Sequence, residues 1–156
     1  MRRPPGRPEN DMSINWNDLG FNLPDFSKVP ALLKACATIV IDGIRDCIEN
    51  ETKPDGSPQK QNSVNYAALK AHVKGYTTPL KGISDESPYL ATRKPWLHEM
   101  VDDYTVAIRL RPKRAKIVAI LEAKQYYIFD FPKGIMPKVY KRMDQWFKNE
   151  IRKMTK

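Results

Sequence analysis

The chain has 156 residues, about the size of one ordinary domain and too short for two sizeable cores. Hydrophobic residues make up 41% and charged residues 29%, which is typical of a globular protein with exposed connections. No apolar run approaches the roughly 18 residues of a membrane-spanning helix, and the first residues lack the apolar core of a signal peptide. We therefore expect neither a membrane protein nor an exported one, whereas a net charge of +9 leaves nucleic acid and acidic proteins open as partners.

The beginning of the chain predicts an arm and then a helix. Residues 1–26 are rich in proline, glycine and arginine and then carry scattered apolar residues, so we expect a flexible N-terminal arm. Residues 28–50 repeat apolar side chains every three or four positions, which predicts a long amphipathic helix with Ser27 as its N-terminal cap. Cys36 and Cys47 both fall in this helix, roughly 16 Å apart along its axis, so no disulfide joins them.

Two loops and a short helix are predicted next. Residues 51–63 are rich in turn formers and are expected to lie outside the core. Ser63 is placed to cap a short helix over residues 64–74, which Gly75 would end. Residues 76–96 lack a period and contain several prolines, so they predict a second loop. Loops of this length are expected to become ordered on contact with neighbouring subunits.

Alternation of apolar and polar residues predicts a sheet in the second half of the chain. Residues 104–111 alternate most clearly, and residues 117–122 resume the alternation after a connection at 112–114, which predicts a hairpin. The aromatic segment 126–131 is expected to be a third strand and residues 97–101 a fourth. The links are too short for crossover connections, so the sheet is expected to be antiparallel.

A second long amphipathic helix is predicted from about residue 134 to residue 153. Its expected apolar stripe consists of Ile135, Val139, Met143, Trp146, Phe147 and Ile151. The pair Trp146-Phe147 could be an exposed anchor for a partner, but its register with Met143 and Ile151 favours packing in the core. Residues 133–156 contain eight basic and two acidic residues, a net charge of +6. The sequence therefore predicts an α+β fold, with an antiparallel β-sheet of three to four strands packed against two long amphipathic helices in a single domain over residues 27–156.

No pattern of residues indicates a catalytic, metal or cofactor site. His72 and His98 lack a cysteine or carboxylate at ligand spacing, and Asp102 and Asp103 are expected to form a turn rather than an acid–base pair. Neither a glycine-rich phosphate loop nor a G-x-S-x-G motif occurs. We therefore expect a protein that is not an enzyme and has no cofactor. A small hydrolase would require the fold to bring His98 beside an acid and a nucleophile.

A cluster of basic residues surrounds the predicted hairpin connection. It consists of Arg109, Arg111, Lys113, Arg114 and Lys116. With Tyr104 nearby, these residues could follow a nucleic-acid backbone. They could also contact a protein partner, or form a solvated turn whose charges prevent edge-to-edge strand pairing. A solvated turn or a protein partner is the favoured interpretation.

The order of these features resembles the virion-morphogenesis or tail-completion proteins of tailed phages, which assemble as rings between head and tail. The similarity covers residues 29–155 and includes the turn at 53–58, the end of the short helix at Lys74-Gly75, and Pro79-Leu80. The chain has Lys81-Gly82-Ile83 where the family often has Thr-Gly-x-Leu. It also has Asp130-Phe131-Pro132 where the family has Arg-Pro-Phe.

The resemblance implies a structural protein without catalytic residues that forms a homo-oligomeric ring. It implies neighbouring neck or tail proteins as partners, contact with genomic DNA in the lumen of the ring, and no association with a membrane. The expected location is the virion, and the host cytoplasm during assembly. A small basic nucleic-acid-binding module is the alternative.

Overall fold

The computed structural model of the protein describes residues 25–74, 90 and 92–154. The described elements are the helices α1 (Val29–Glu49), α2 (Val64–Lys74), α3 (Pro112–Ala123) and α4 (Ile135–Met154), and the strands β1 (Trp96–Asp102) and β2 (Thr105–Leu110). The α+β class and the antiparallel sheet are confirmed. The prediction of three to four strands is wrong for the described residues, in which the sheet has two.

Helix α1 is the centre of the fold. Its buried residues are Leu32, Cys36, Ala37, Val40, Ile41, Ile44 and Ile48. These positions recur at three and four residues, so a broad face of the helix is apolar. Helix α4 packs against α1, and so do both strands, whereas the described parts of the strands and of α4 make no contact with each other. Helix α1 therefore separates the hairpin from α4.

The start of α1 differs from the prediction in its cap. Ser27 lies in a short 3-10 turn over Phe26–Lys28, and α1 has Lys28 at its cap position without a side-chain cap bond. The Asp25 carboxylate instead accepts hydrogen bonds from the Ser27 hydroxyl and, at 3.2 Å, from the Ser27 backbone N–H. The bond from the Ser27 hydroxyl, with that from Lys28, lowers the pKa of Asp25 to about 2. The carboxylate thus organises this turn.

Residues 51–63 contribute no side chain to the hydrophobic core cluster, but this loop is held to the rest of the domain by the buried Gln59. The turn is closed by the Lys53 N–H, which donates to the Ser57 carbonyl at 2.7 Å. Gln59 is buried, and its Nε2 donates to the carbonyl oxygens of Thr52 at 3.1 Å and Tyr127 at 2.5 Å. Its Oε1 has no hydrogen-bond partner in the described part of the chain. One polar side chain therefore ties this loop to residues 126–131.

The predicted short helix is confirmed as α2, and Ser63 contributes to its cap. The Ser63 Oγ accepts a hydrogen bond from the Tyr66 N–H at 3.4 Å. The arm at 1–24, the end of α2 at Gly75, and most of the loop at 76–96 lie outside the described residues.

Strands β1 and β2 form a tight antiparallel hairpin. Asp102 pairs with Thr105, which leaves Asp103 and Tyr104 as the two residues of the connection. The Asp102 Oδ1 accepts a hydrogen bond from the Tyr104 N–H at 2.8 Å, and this bond lowers the pKa of Asp102. The turn expected at these two aspartates is confirmed. Tyr104, the first residue of the predicted strand, lies in the turn and is 73% exposed.

Residues 112–123 form helix α3, so the predicted hairpin connection and second strand are wrong. Arg111 is extended, with φ −55° and ψ 142°, and Pro112 occupies the first turn. Proline suits that position because its fixed φ is helical and its missing N–H has no helical partner there. Val118 is 4% exposed and Ile120 is 57% exposed, although both would lie on the same side of a strand. The burial of residues in α3 therefore follows the helical period, with Arg114 and Val118 inside at a spacing of four.

The aromatic segment 126–131 is irregular rather than a third strand. Ile128 is fully buried, and Phe129 stacks on Trp96 with 5.9 Å between ring centroids. The Phe129 N–H donates to the Glu122 carboxylate at 2.9 Å. This segment is therefore held by side-chain packing and by hydrogen bonds to α3, and not by backbone pairing in a sheet.

Candidate interaction surfaces

The predicted basic cluster lies where β2 passes into α3. Arg109 is exposed on β2, and its Nη1 is 2.8 Å from Oε1 of Glu99 on the paired strand. Exposed pairs of this kind contribute only about 0–1 kcal/mol. Arg111 follows the strand, and its Nε donates to the Lys94 carbonyl at 2.9 Å. These two arginines therefore have partners within the domain.

The other three cluster residues occupy the first two turns of α3. Lys113 and Lys116 are exposed, while Arg114 is buried. Positive charge at a helix N-terminus opposes the helix dipole by about 0.3–1 kcal/mol per group. The structure thus brings the five residues to one junction, but it does not present them as one free cationic surface, because Arg109 is paired with Glu99 and Arg114 is inside.

Helix α4 carries two adjacent apolar faces. Ile135 and Val139 are buried against the core, and Met143 and Trp146 are half-buried. A second row of large apolar side chains, here called the α4 stripe, is exposed beside them and consists of Met136, Tyr140, Phe147 and Ile151. Spacings of four, seven and four residues place these four on one side of the helix.

The α4 stripe was incompletely visible in the sequence. Phe147 is 45% exposed and Ile151 is exposed too, so their predicted place in the core stripe is wrong. Met136 and Tyr140 are absent from the predicted stripe, although they precede Phe147 and Ile151 at helical spacing. The signal that identifies them is the width of the apolar arc, which exceeds what packing on one neighbouring helix requires.

Basic residues flank the α4 stripe. Lys141 and Lys148 each follow an aromatic residue of the stripe by one position, which places them about 100° around the helix. The Lys148 Nζ lies 2.7 Å from the Asp144 Oδ2. Lys141 has no ion-pair partner within the described residues. The edge of the stripe that lies away from the buried face of α4, here called its rim, therefore carries Lys141 and the Lys148–Asp144 ion pair, and its net charge is positive.

Glu150 fixes the end of α4 against the start of α1. It is buried and accepts a hydrogen bond from the Lys153 Nζ. This bond lowers the pKa of Glu150, and an N–H bond from the Asp25 backbone acts in the same direction. Glu150 lies on the buried face of α4, which is adjacent to the α4 stripe, so contacts on that face help to orient the stripe.

The hairpin tip, residues 101–104, is a second exposed surface with apolar and charged groups. Val101 and Tyr104 are exposed large side chains, and Asp102 and Asp103 are exposed carboxylates next to them. The tip therefore has the opposite charge to the rim of the α4 stripe.

A cleft beside α2 and α3 is lined by apolar and basic residues. This cleft of about 610 Å³ lies between the start of α2 and α3 and is lined by Tyr66, Ile120 and Tyr126, with Lys60 and Lys124 also present. Its described lining includes no histidine, cysteine or carboxylate. The arrangement offers apolar contact and positive charge, not acid–base chemistry.

The described residues contain no group of three or more histidine, cysteine or acidic side chains that could hold a metal ion. Cys36 and Cys47 are free thiols in α1, as expected from their spacing, and burial raises the pKa of Cys36. His72 and His98 are both exposed. Within the same residues, no helix is long and apolar enough to cross a bilayer.

Comparison with known proteins adds no relative: no protein-family model, curated protein or solved structure matches the chain. Proposals about function therefore rest on the surfaces described above.

Proposed function

We propose that the protein is a non-enzymatic structural subunit that self-associates into a ring in the neck or tail of a tailed phage. The observation that carries the self-association is the α4 stripe, four large apolar side chains exposed on one side of a rigid helix. Contiguous exposed apolar surface of this kind marks sites of protein–protein interaction. Its position on a helix anchored through Ile135, Val139 and Glu150 gives it a defined shape before binding.

The α4 stripe is too small to hold two subunits tightly through a single contact, and this favours a ring over an isolated pair. Full burial of one large apolar side chain contributes about 1.5–3 kcal/mol, and the stripe residues are already partly covered. Association of two proteins costs about 4–15 kcal/mol in lost freedom. One stripe contact is therefore weak, but each subunit of a closed ring makes two contacts and gains from their joint action.

The phage assignment is supported by the order of elements. Helix α1, the turn at 53–58, α2, a β-hairpin and α4 occur in the order that the resemblance implies, although the hairpin lies at 96–110 rather than 104–121 and helix α3, which that order lacks, stands between the hairpin and α4. The aromatic strand of that order is an irregular segment, so it gives no support. The proposed partners are other copies of the chain and the neighbouring head or tail proteins.

The nucleic-acid-binding alternative has less support from the geometry. It requires the basic cluster to act as one exposed surface, whereas Arg109 is paired with Glu99 and Arg114 is buried. Lys116 on α3 and Lys138 on α4 are exposed and carry positive charge that phosphate would attract. Contact with DNA in the lumen of a ring stays a prediction.

The test of the proposal is the mass of the purified protein in solution. Size-exclusion chromatography with light scattering is expected to give a defined multiple of the 18.0 kDa subunit mass, and the same measurement repeated with purified phage heads or tails is expected to show co-elution. A strict monomer at the highest soluble concentration that binds neither heads nor tails contradicts the proposal.

A further inference from the structure

We infer that the α4 stripe of one subunit binds the hairpin tip of the next subunit in a head-to-tail contact. The inference rests on the proposed self-association and names the two surfaces that carry it. The tip supplies Val101 and Tyr104 as apolar groups and two aspartates as charges. The stripe supplies Tyr140 and Phe147, with lysines along its rim.

The two surfaces belong to parts of the domain that do not meet. The hairpin and α4 each pack against α1, but the described residues of the hairpin and of α4 make no contact with each other. The tip of one subunit therefore leaves its own stripe uncovered. A ring requires a contact between two different and complementary patches, since a contact of a patch with itself closes a dimer. A tip and a separate stripe meet this requirement.

The hairpin tip and the α4 stripe both expose aromatic side chains that could pack against one another. Tyr104 is 73% exposed at the end of a tight turn, so it projects a rigid aromatic ring that has two rotatable bonds and a polar end. Such tyrosines are frequent anchors at protein interfaces. The stripe offers two aromatic rings, Tyr140 and Phe147, between the aliphatic side chains of Met136 and Ile151. Offset or edge-to-face contact between these rings would add to the burial of surface.

The charges distinguish this contact from others that the stripe could make. Asp103 has no ion-pair partner among the described residues, and neither has Lys141 beside the stripe. Two copies that met through their α4 helices would bring two net positive edges together, because Asp144 pairs with Lys148 and leaves Lys141 without a counter-charge in the described part of the chain, and this opposes association. The exposed apolar side of α2 is no better, because Val64–Lys74 contains no acidic residue. The tip is thus the surface that complements the stripe in both respects.

A mixing experiment with two variants tests the head-to-tail geometry. The tip variant carries Asp103→Asn and Tyr104→Ser and keeps its stripe; the stripe variant carries Tyr140→Ser and Phe147→Ser and keeps its tip. Each variant alone is expected to be monomeric by native mass spectrometry. Mixed in equal amounts at high concentration, they are expected to form a 1:1 pair of twice the 18.0 kDa subunit mass and no larger species, and this pair is expected to bind more weakly than subunits of the ring because a single contact remains.

The controls separate this inference from the proposed self-association. Tyr66→Ser removes an exposed aromatic side chain from α2 and is expected to leave the oligomer unchanged. If both variants assemble like the unmodified protein, the named surfaces are wrong while the ring proposal stands. A tip variant that still forms dimers shows that α4 meets α4 and also overturns the inference. An unmodified protein that is monomeric overturns both.

Charge exchange provides a second, independent measurement. Asp103→Lys and Lys141→Glu are each expected to weaken association by about threefold to tenfold, as for charges at the edge of an interface. The double variant is expected to recover most of that loss. Lys124→Glu on the exposed end of α3 is the matched control. Additive losses of affinity in the double variant would contradict a contact between Asp103 and Lys141. Circular dichroism of each variant serves as the control for folding.

Discussion

Gly43 decides how closely α1 and α4 approach. A Cβ atom at this position would lie 2.6 Å from Ile135 Cδ1 and 3.3 Å from Pro132 Cγ. Glycine inside a helix costs about 1 kcal/mol relative to alanine, so its presence in the middle of α1 is unfavourable for the helix alone. The packing of Ile135 against the bare backbone offsets this cost.

Replacement of Gly43 by valine is therefore expected to destabilise the protein by about 1–3 kcal/mol, because the added methyl groups overpack the contact with Ile135. Urea denaturation measures the change. Ala31→Val, at an exposed position of the same helix, is the control for the helix propensity of valine. Equal losses in the two variants would show that the close approach at Gly43 contributes nothing.

Among the elements, α3 shows that one apolar run can fit both the two-residue repeat of a strand and the 3.6-residue repeat of a helix. Residues 117–121 alternate well enough for a strand, yet Val118 is buried and Ile120 is exposed. Residues two positions apart share a side of a strand but lie about 200° apart on a helix. The proline at the start of the segment and the helix-forming residues after it favour the helix.

This difference predicts opposite results for two neighbouring substitutions. Val118→Ala is expected to cost about 2 kcal/mol because it leaves a cavity in the core, whereas Ile120→Ala is expected to change the free energy of unfolding by less than about 0.5 kcal/mol. Thermal and urea unfolding of the two variants measure the effect. Similar losses at both positions would contradict the helix and favour the strand.

At the scale of the whole molecule, carboxylates connect the elements to one another. Asp42 on α1 accepts hydrogen bonds from Arg93 Nε at 3.0 Å and from Arg45 Nη1 at 2.6 Å. Burial opposes ionisation of Asp42, but the bonds from Arg93 and Arg45 outweigh it and lower its pKa. Asp25 and Glu150, at the junction of α1 and α4, are two further carboxylates whose pKa is lowered in the folded protein.

Acid is therefore expected to destabilise the fold. A carboxylate whose pKa is lower in the folded than in the unfolded chain contributes stability above its unfolded pKa of about 4, and this contribution is lost as the pH falls through the folded value. For Asp25 that value is about 2. The midpoint of thermal unfolding is expected to fall between pH 4 and pH 2, as circular dichroism would measure.

The variant Asp42→Asn separates this effect from general acid denaturation. It is expected to be less stable than the unmodified protein at pH 7. This difference is expected to shrink as the pH approaches 2, because the side chain at position 42 then becomes uncharged in the unmodified protein too, so that Arg93 loses its carboxylate partner in both. Asp46→Asn, at an exposed position of α1, is the control. A difference that stays constant with pH would contradict the assigned role of Asp42.

The net charge of +9 also acts on the whole molecule, since it opposes the approach of identical copies. Assembly of such a chain requires contacts that place opposite charges together. The acidic hairpin tip and the lysines beside the α4 stripe are the pair of surfaces that offers this.

The sequence by itself determined the elements in which the spacing of apolar residues fits either a helix or a strand, but not both. Helices α1, α2 and α4 and strand β2 occur within one or two residues of their predicted bounds, because their apolar spacing or alternation is long or regular enough to be unambiguous. The aspartates of the hairpin turn and the separation of the two cysteines follow from local chemistry in the same way.

Tertiary structure decided the short ambiguous segments and the exposure of side chains. Residues 126–131 are apolar enough for a strand, but with α3 in the place of the predicted second strand they pack through Ile128 and Phe129 instead. The sequence likewise shows that α4 is apolar over a wide arc, but not which part of that arc α1 covers. Because a single helix buries only one face of its neighbour, Ile135 and Val139 are inside while Phe147 stays exposed as part of the candidate interface.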